Sequence, residues 1–365
     1  MKTIFKHTKF LMLLLLVSCT TSAQTSVKEN DYEKSKKFTQ TYDLENNDKV
    51  SLSNQFGNIK IITWADKKIK VDVDIEVTAK TEAKATKIID GINIKHSKKD
   101  GLVCFNTKIE EKANYNNISN VTSTKTGTKT NIKTNTTTTT KTSATVITKT
   151  NKNGETETVN IVGDDDNCNC NYKNNSQSMK INYTVYLPAS TTLKMYNEFG
   201  NTFIEDYDGI LTTNNEYGNF TASILTNKEN EIVVEYGNAE IKTLTSPDIK
   251  ISYGNCDITN VIGSGQLEFA YSSDVSIGVS KNVGDIKIIN EYSTIEIAVN
   301  ENTNASFLIK SSYGDVKNKN KNFALKTEKE EDDECCNFTK KYEGKIGTGA
   351  SKIEIDNDYG KVKFR

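Results

Sequence analysis

Histidine, arginine, proline and tryptophan are nearly missing from this chain. Its 365 residues include 2 histidines, 2 prolines and 1 tryptophan. The sole arginine is the last residue, Arg365. His7 falls in a leader-like N-terminus, which leaves His96. A Ser-His-Asp triad or a multi-histidine metal centre needs more imidazole than that. Without internal arginine there is no bidentate fork for phosphate or carboxylate. Excess charge of one sign is missing too. The 47 basic and 48 acidic side chains leave a formal net charge of −1, which lacks the electrostatic footprint of a general nucleic-acid or anionic-membrane binder. Long apolar runs are also absent: the longest, Phe10 to Val17, is eight residues, too short to span a bilayer.

That run does fit an export signal over residues 1–23, with Lys2, Lys6 and Lys9 as its positive flank. Two processing patterns overlap there. Leu16-Val17-Ser18-Cys19 resembles a bacterial lipobox, with Cys19 lipidated as the mature N-terminus. Thr21-Ser22-Ala23 before Gln24 fits a small-x-small cleavage site that discards Cys19. Either pattern places the protein in the periplasm, in the outer membrane or on the surface of a Gram-negative-type envelope. Membrane contact would run only through the lipid. Residues 24–40 read as a linker.

What the chain has in quantity is a repeat. An aromatic followed by a small residue recurs at Phe56-Gly57, Phe199-Gly200, Tyr217-Gly218, Tyr236-Gly237, Tyr253-Gly254, Tyr271-Ser272, Tyr292-Ser293, Tyr313-Gly314 and Tyr359-Gly360. From 199 to 313 the steps are 18, 19, 17, 18, 21 and 21 residues, a period that marks a solenoid or array. Apolar residues alternate before each aromatic, as in Ile232, Val234, Tyr236, and recur at +3 and +5 after it, as in Ala239 and Ile241. Period two means strand. An even phase before and an odd phase after require a corner between, and glycine and asparagine tolerate the φ > 0 such a corner needs. The expected fold class is all-β: a β-solenoid or β-helix-like stack of strand-corner-strand repeats. Most tyrosines are phased inward and read as core.

Two positions before the aromatic, the inward phase carries Asn54, Asn197, Asn215, Asn290 and Asn357, with Ser311 in the same role. One reading is a partial asparagine ladder of stacked amides. The other places these side chains in the corner, facing water.

Residues 41–112 read as an N-terminal β cap with one short helix. Strand patterns run at Lys49–Ser53, Asn58–Thr63 and Ile69–Val77, and the helix over Thr81 to Asp90 is stopped by Gly91. Residues 101–109 and 179–187 could pair as a hairpin. Between them, 113–178 is a Thr/Lys/Asn-rich insertion with a hairpin pattern from Val146 to Val162 around Asn153-Gly154. Repeats fill 179–365, interrupted by an acidic, cysteine-bearing loop at 318–342.

Asp164-Asp165-Asp166 precedes Cys168 and Cys170, and Glu330 to Glu334 precedes Cys335 and Cys336. In an oxidising compartment these four cysteines could form a disulfide staple, for which three connectivities exist. Acidic thiol loops could instead bind a metal, although the two-residue gap of zinc sites is missing. Simple solvated loops are the third reading. Cys256 and Cys104 read as small core residues. The corner spacing lacks the glycine-rich calcium fingerprint, and no carboxylate pair stands out for glycoside chemistry. No catalytic, cofactor-binding or metal residue is assigned.

The stretch Leu52-Ser53-Asn54-Gln55-Phe56-Gly57-Asn58-Ile59-Lys60-Ile61-Ile62-Thr63-Trp64 resembles the opening repeat of exported, adhesin-like β-repeat proteins related to the head GIN domain, otherwise described as domains of unknown function. The lysine-rich strand and short helix that follow are similar as well, as are the repeats from Tyr183 to Phe364. The resemblance implies a non-enzymatic envelope protein that acts as an adhesin or binding scaffold toward an envelope protein or glycan, without cofactor or nucleic acid. The alternatives are a polysaccharide-processing enzyme on a β-helix and a loop-based metal-binding protein.

Overall fold

The computed structural model describes residues 31–110, 145–150, 156–161, 177–328 and 339–365. The fold is all-β with one helix among the described residues, built on a large, nearly closed sheet of 23 strands. Thr145–Thr150 and Thr156–Ile161 form a separate antiparallel hairpin, where the sequence pattern places one. The leader, with Cys19, and the two acidic cysteine runs, 164–170 and 330–336, lie outside the described residues, while the rest of the expected loop at 318–342 includes strand at Leu325–Glu328 and from Thr339.

The sheet consists of two parallel ladders. The strands before the corners make the first. Lys49–Gln55 pairs with Thr192–Glu198, which pairs with Leu211–Glu216, then Glu231–Glu235, then Asp248–Ser252. The strands after the corners make the second: Ile59–Trp64, Thr202–Ile204, Phe220–Leu225, Ala239–Thr245 and the start of Cys256–Ala270. Cys256–Ala270 and Val275–Glu291 are long enough to serve both ladders. Parallel pairing in register aligns equivalent residues, so alternation along each strand becomes columns across the strands. One column runs Leu52, Met195, Thr213, Ile232, Ile249, Leu267, Ile288, Ile355 and Ile309, all at most 2% exposed. A facing column runs Ile61, Ile204, Ala222, Ile241, Ile258, Ile277, Ile297 and Phe364. Each large aliphatic side chain buried this way stabilises the fold by about 1.5–3 kcal/mol.

The spatial order departs from the chain order at both ends. Lys49–Gln55 lies between Thr192–Glu198 and Leu102–Ile109, and Ile59–Trp64 lies between Thr202–Ile204 and Ser178–Pro188. The first repeat is thus enclosed on both sides rather than forming part of a cap. Residues 101–109 and 179–187 do not pair as a hairpin. Each continues a different ladder, Leu102–Ile109 the first and Ser178–Pro188 the second. At the far end, Ser351–Asp358 slots between the end of Val275–Glu291 and Ala305–Ser312, and Lys361–Phe364 between Thr294–Val299 and Asp315–Asn318. Sequence period alone would seat residues 305–318 directly on 286–299. The C-terminal repeat separates them.

Antiparallel strands close the ends. Ile92–Lys99 covers Leu102–Ile109, and Lys68–Ala79 followed by Tyr32–Asp43 covers Ser178–Pro188. Residues 32–40, read as linker, are therefore strand. These edge strands are lysine-rich, which discourages edge-to-edge pairing with other chains. The helix Glu82–Asp90 begins where the Thr81 hydroxyl accepts from the Lys84 amide, ends at Gly91, and buries Ala85, Ile88 and Ile89. At the other end Thr339–Ile346 covers Ala305–Ser312 and is itself paired by Leu325–Glu328.

Candidate functional site

The corners form a continuous built surface. At each one the aromatic residue itself adopts the left-handed conformation: φ is 62° at Phe56, 57° at Phe199, 54° at Tyr217, 55° at Tyr236 and 50° at Tyr292. The glycine that follows does not, contrary to expectation. Its role is steric. A Cβ at Gly200, Gly218, Gly237 or Gly254 would overlap the backbone carbonyl of the equivalent glycine in the preceding repeat. Left-handed geometry costs a non-glycine residue about 1–2 kcal/mol. Hydrogen bonds on both sides of the corner hold it in place. The Tyr217 amide donates to Glu235 O at 2.9 Å and the Tyr236 amide to Ser252 O at 3.0 Å, while Phe220 N donates to Asn238 O at 2.8 Å.

Asparagine acts at two depths. The inner asparagines are buried, at most 1% exposed, and tie their own corner from within. Asn54 Nδ2 donates to Gly57 O at 3.1 Å, Asn197 Nδ2 to Gly200 O at 3.0 Å and Asn357 Nδ2 to Gly360 O at 3.2 Å. They also bond between repeats where two meet, as Asn290 Nδ2 does to Asn357 Oδ1 at 2.6 Å and Asn357 Nδ2 to Ser311 Oγ at 2.7 Å. The ladder is partial because Val234, Ile251 and Phe269 fill the same column in its middle. A second ladder, which the sequence reading missed, runs outside. The amides of Asn201, Asn219, Asn238 and Asn255 donate to the side-chain oxygens of Asn58, Asn201, Asn219 and Asn238 at 2.9–3.0 Å.

The left-handed turn throws each aromatic ring outward. The tyrosines at the corners are therefore not core, and the inward phasing stated above is corrected. Tyr236, Tyr253, Tyr271, Tyr292, Tyr313 and Tyr359 are 49–56% exposed. They stack with Phe56, Phe199 and Tyr217 into one file, in the order Phe56, Phe199, Tyr217, Tyr236, Tyr253, Tyr271, Tyr292, Tyr359, Tyr313. From Tyr217 onward the centroids are 4.8–5.1 Å apart and the planes lie within 6° of parallel. The spacing is that of β-strands. Aromatic pairs contribute about 0.5–1.5 kcal/mol each, which offsets the cost of the turn. Because the inner rings cover one another's faces, the file shows solvent its edges and phenol groups. Carboxylates line it one residue earlier: Glu198, Glu216, Glu235, Glu291 and Asp358. Burial, followed by the neighbouring Tyr236 and Glu216, raises the Tyr217 phenol above its ordinary pKa, and Tyr292 shifts the same way. The Tyr217 and Tyr292 phenols are thus neutral in ordinary buffers.

Among the described residues, the others singled out in the sequence are not brought together. Cys168, Cys170, Cys335 and Cys336 lie outside the described residues. Cys256 is a buried free thiol raised by burial, and Cys104 is a half-buried free thiol on a strand. His96 sits on a capping strand, with Nδ1 2.7 Å from the Tyr42 hydroxyl and its ring packed by Phe38 and Phe105. No group of three or more metal-ligating side chains gathers among the described residues, and no described helix is long and apolar enough to cross a membrane. On the outer side of the second ladder an open depression of about 410 Å³ is lined by Lys60, Phe203, Glu205, Glu240, Lys242 and neighbouring residues.

No family model matches the chain, and no curated protein matches its sequence. Two crystal structures align with this chain along most of its length. A candidate adhesin from Bacteroides fragilis has 12% identity and a TM-score of 0.37, over 90% of this chain and 97% of that one. A candidate cell adhesion protein from Clostridium sporogenes has 10% identity and a TM-score of 0.24, over 91% and 99%. Overlaps this loose establish neither family nor function.

Proposed function

We propose that the protein is a non-enzymatic, exported binding scaffold of the cell envelope, an adhesin in the broad sense. Its strand-corner-strand repeats wind as successive coils of a solenoid, and the stacked aromatic file is its contact surface. One observation carries the reading. The same large side chain is placed outward at corner after corner, half-exposed and in a left-handed conformation that glycine or asparagine would adopt with less strain. Tyrosine presents broad, rigid, amphipathic area with little side-chain entropy to lose, which suits contact with an envelope protein or glycan.

Cell fractionation with surface proteolysis tests exposure, and a cell-binding assay tests the file. Tyr236→Ser/Tyr253→Ser/Tyr271→Ser should keep the fold and lose most binding. A fully protected protein, or unchanged binding by the triple variant, would overturn the proposal. A second reading, polysaccharide processing, rests on the depression whose lining includes Glu205 and Glu240. Turnover of a glycan panel that Glu240→Gln abolishes would establish it instead.

A further inference from the structure

The aromatic file is also a chemical site, independent of adhesion. We propose that the tyrosines from Tyr217 to Tyr313 are an oxidative cross-linking site. There a haem peroxidase supplied with hydrogen peroxide joins tyrosines of neighbouring repeats as dityrosine.

Three observations lead to this. First, neighbouring phenol rings are held 4.8–5.1 Å apart and nearly parallel, so a radical formed on an inner ring has a coupling partner on either side. Holding two reactants together replaces a bimolecular encounter with an intramolecular one. Secondly, every one of these rings except the more covered Tyr217 is about half-exposed, within reach of an oxidant that cannot enter the core. Thirdly, three of the four described sulfur groups that would compete are shielded: Met179, Met195 and Cys256 are at most 3% exposed, and Cys104 is half-buried. Phe56 and Phe199 end the reactive stretch, because they have no phenol to oxidise.

The chemistry balances. Each of two phenols gives one electron and one proton to the peroxidase, which passes them to peroxide. The two phenoxyl radicals couple through a carbon–carbon bond between their ortho positions. The hydrogens on those carbons then move to the oxygens as both rings regain aromaticity. Two tyrosines and one hydrogen peroxide give one dityrosine and two waters. Each bond staples one repeat to the next and closes a loop in the unfolded chain, which resists unfolding in the way a disulfide does.

The test uses the full chain, dilute, with peroxidase and hydrogen peroxide. The expected result is dityrosine fluorescence in protein that still migrates as a monomer, raised thermal stability, and cross-linked peptides joining Tyr236 to Tyr253 or Tyr253 to Tyr271. Tyr253→Phe/Tyr271→Phe keeps stacked rings but breaks the contacts on either side of both, and should cut the intramolecular yield to roughly half. Tyr342→Phe, outside the file, should not change it. Circular dichroism confirms that each variant is folded. Cross-links that form only between molecules, that map no more often to the file than to Tyr32 or Tyr42, or that survive the double variant undiminished would overturn the proposal.

Discussion

Replacing Gly237 with alanine isolates the steric role of the corner glycines. Gly237 is not a left-handed residue, so alanine meets no conformational barrier there. The added Cβ would overlap the Gly218 carbonyl. That carbonyl cannot swing aside, because Tyr217 N–Glu235 O and Phe220 N–Asn238 O bonds of 2.9 and 2.8 Å hold the corner from both strands. The backbone must therefore separate across two repeats. Overpacking of this kind costs about 1–3 kcal/mol, and immovable backbone places it near the upper end. Alanine restricts the unfolded chain and returns about 0.4–1 kcal/mol. The net expectation is a destabilisation of about 2 kcal/mol. Urea unfolding followed by tyrosine fluorescence and circular dichroism measures it, with exposed Lys242→Ala as the control, expected within about 0.5 kcal/mol of the parent. If Gly237→Ala matched that control, close contact between corners would not be what demands glycine.

Three further expectations follow from the structure. Asn290→Leu strands the Ser293 carbonyl and Asn357 Oδ1, which now accept its Nδ2 at 3.1 and 2.6 Å. It should cost about 2 kcal/mol more than an exposed lysine substitution, and equal melting temperatures would remove the inner ladder as a stabilising device. Phe364→Ala tests whether the C-terminal repeat is interior. Phe364 is fully buried and meets Phe307 and Phe323 edge-on at 5.4 Å, so a loss of about 3–5 kcal/mol is expected in denaturant melts, whereas a free tail would give almost none. Asp48 is held below the ordinary carboxylate pKa by the Glu45 amide and by Lys98. A depressed folded pKa gives stability that is full above the unfolded value and lost as pH falls through the folded one. The gap between wild type and Asp48→Asn should therefore be present at neutral pH and close below the usual carboxylate range, and a gap independent of pH would contradict the pairing.

How far the fold could be read in advance differs from residue to residue. Alternation at Ile232 and Val234, then at Ala239 and Ile241, identifies strands and a change of phase, because period-two burial is written in the sequence itself. The helix was legible from Thr81 and Gly91. The direction of the aromatic was not. Its place in the alternating count points inward, and only the left-handed backbone turns it out. A signal was present nonetheless: the phase breaks at the aromatic, and tyrosine recurs there while the columns prefer isoleucine and valine. The outer asparagines likewise carried a repeating Gly-Asn signal, but their partners are amides of the next repeat, which spacing alone does not reveal.

The sequence by itself determined the all-β repeat, its period and the aliphatic columns, since these follow from local alternation. Tertiary structure decided the rest. It enclosed the first and last repeats between others, because pairing partners are chosen by edge availability and shape rather than by order along the chain. It also converted a scattered set of tyrosines, poor in any recognisable motif, into one exposed file. Rings 17 to 21 residues apart meet only because parallel strands stack the corners in register.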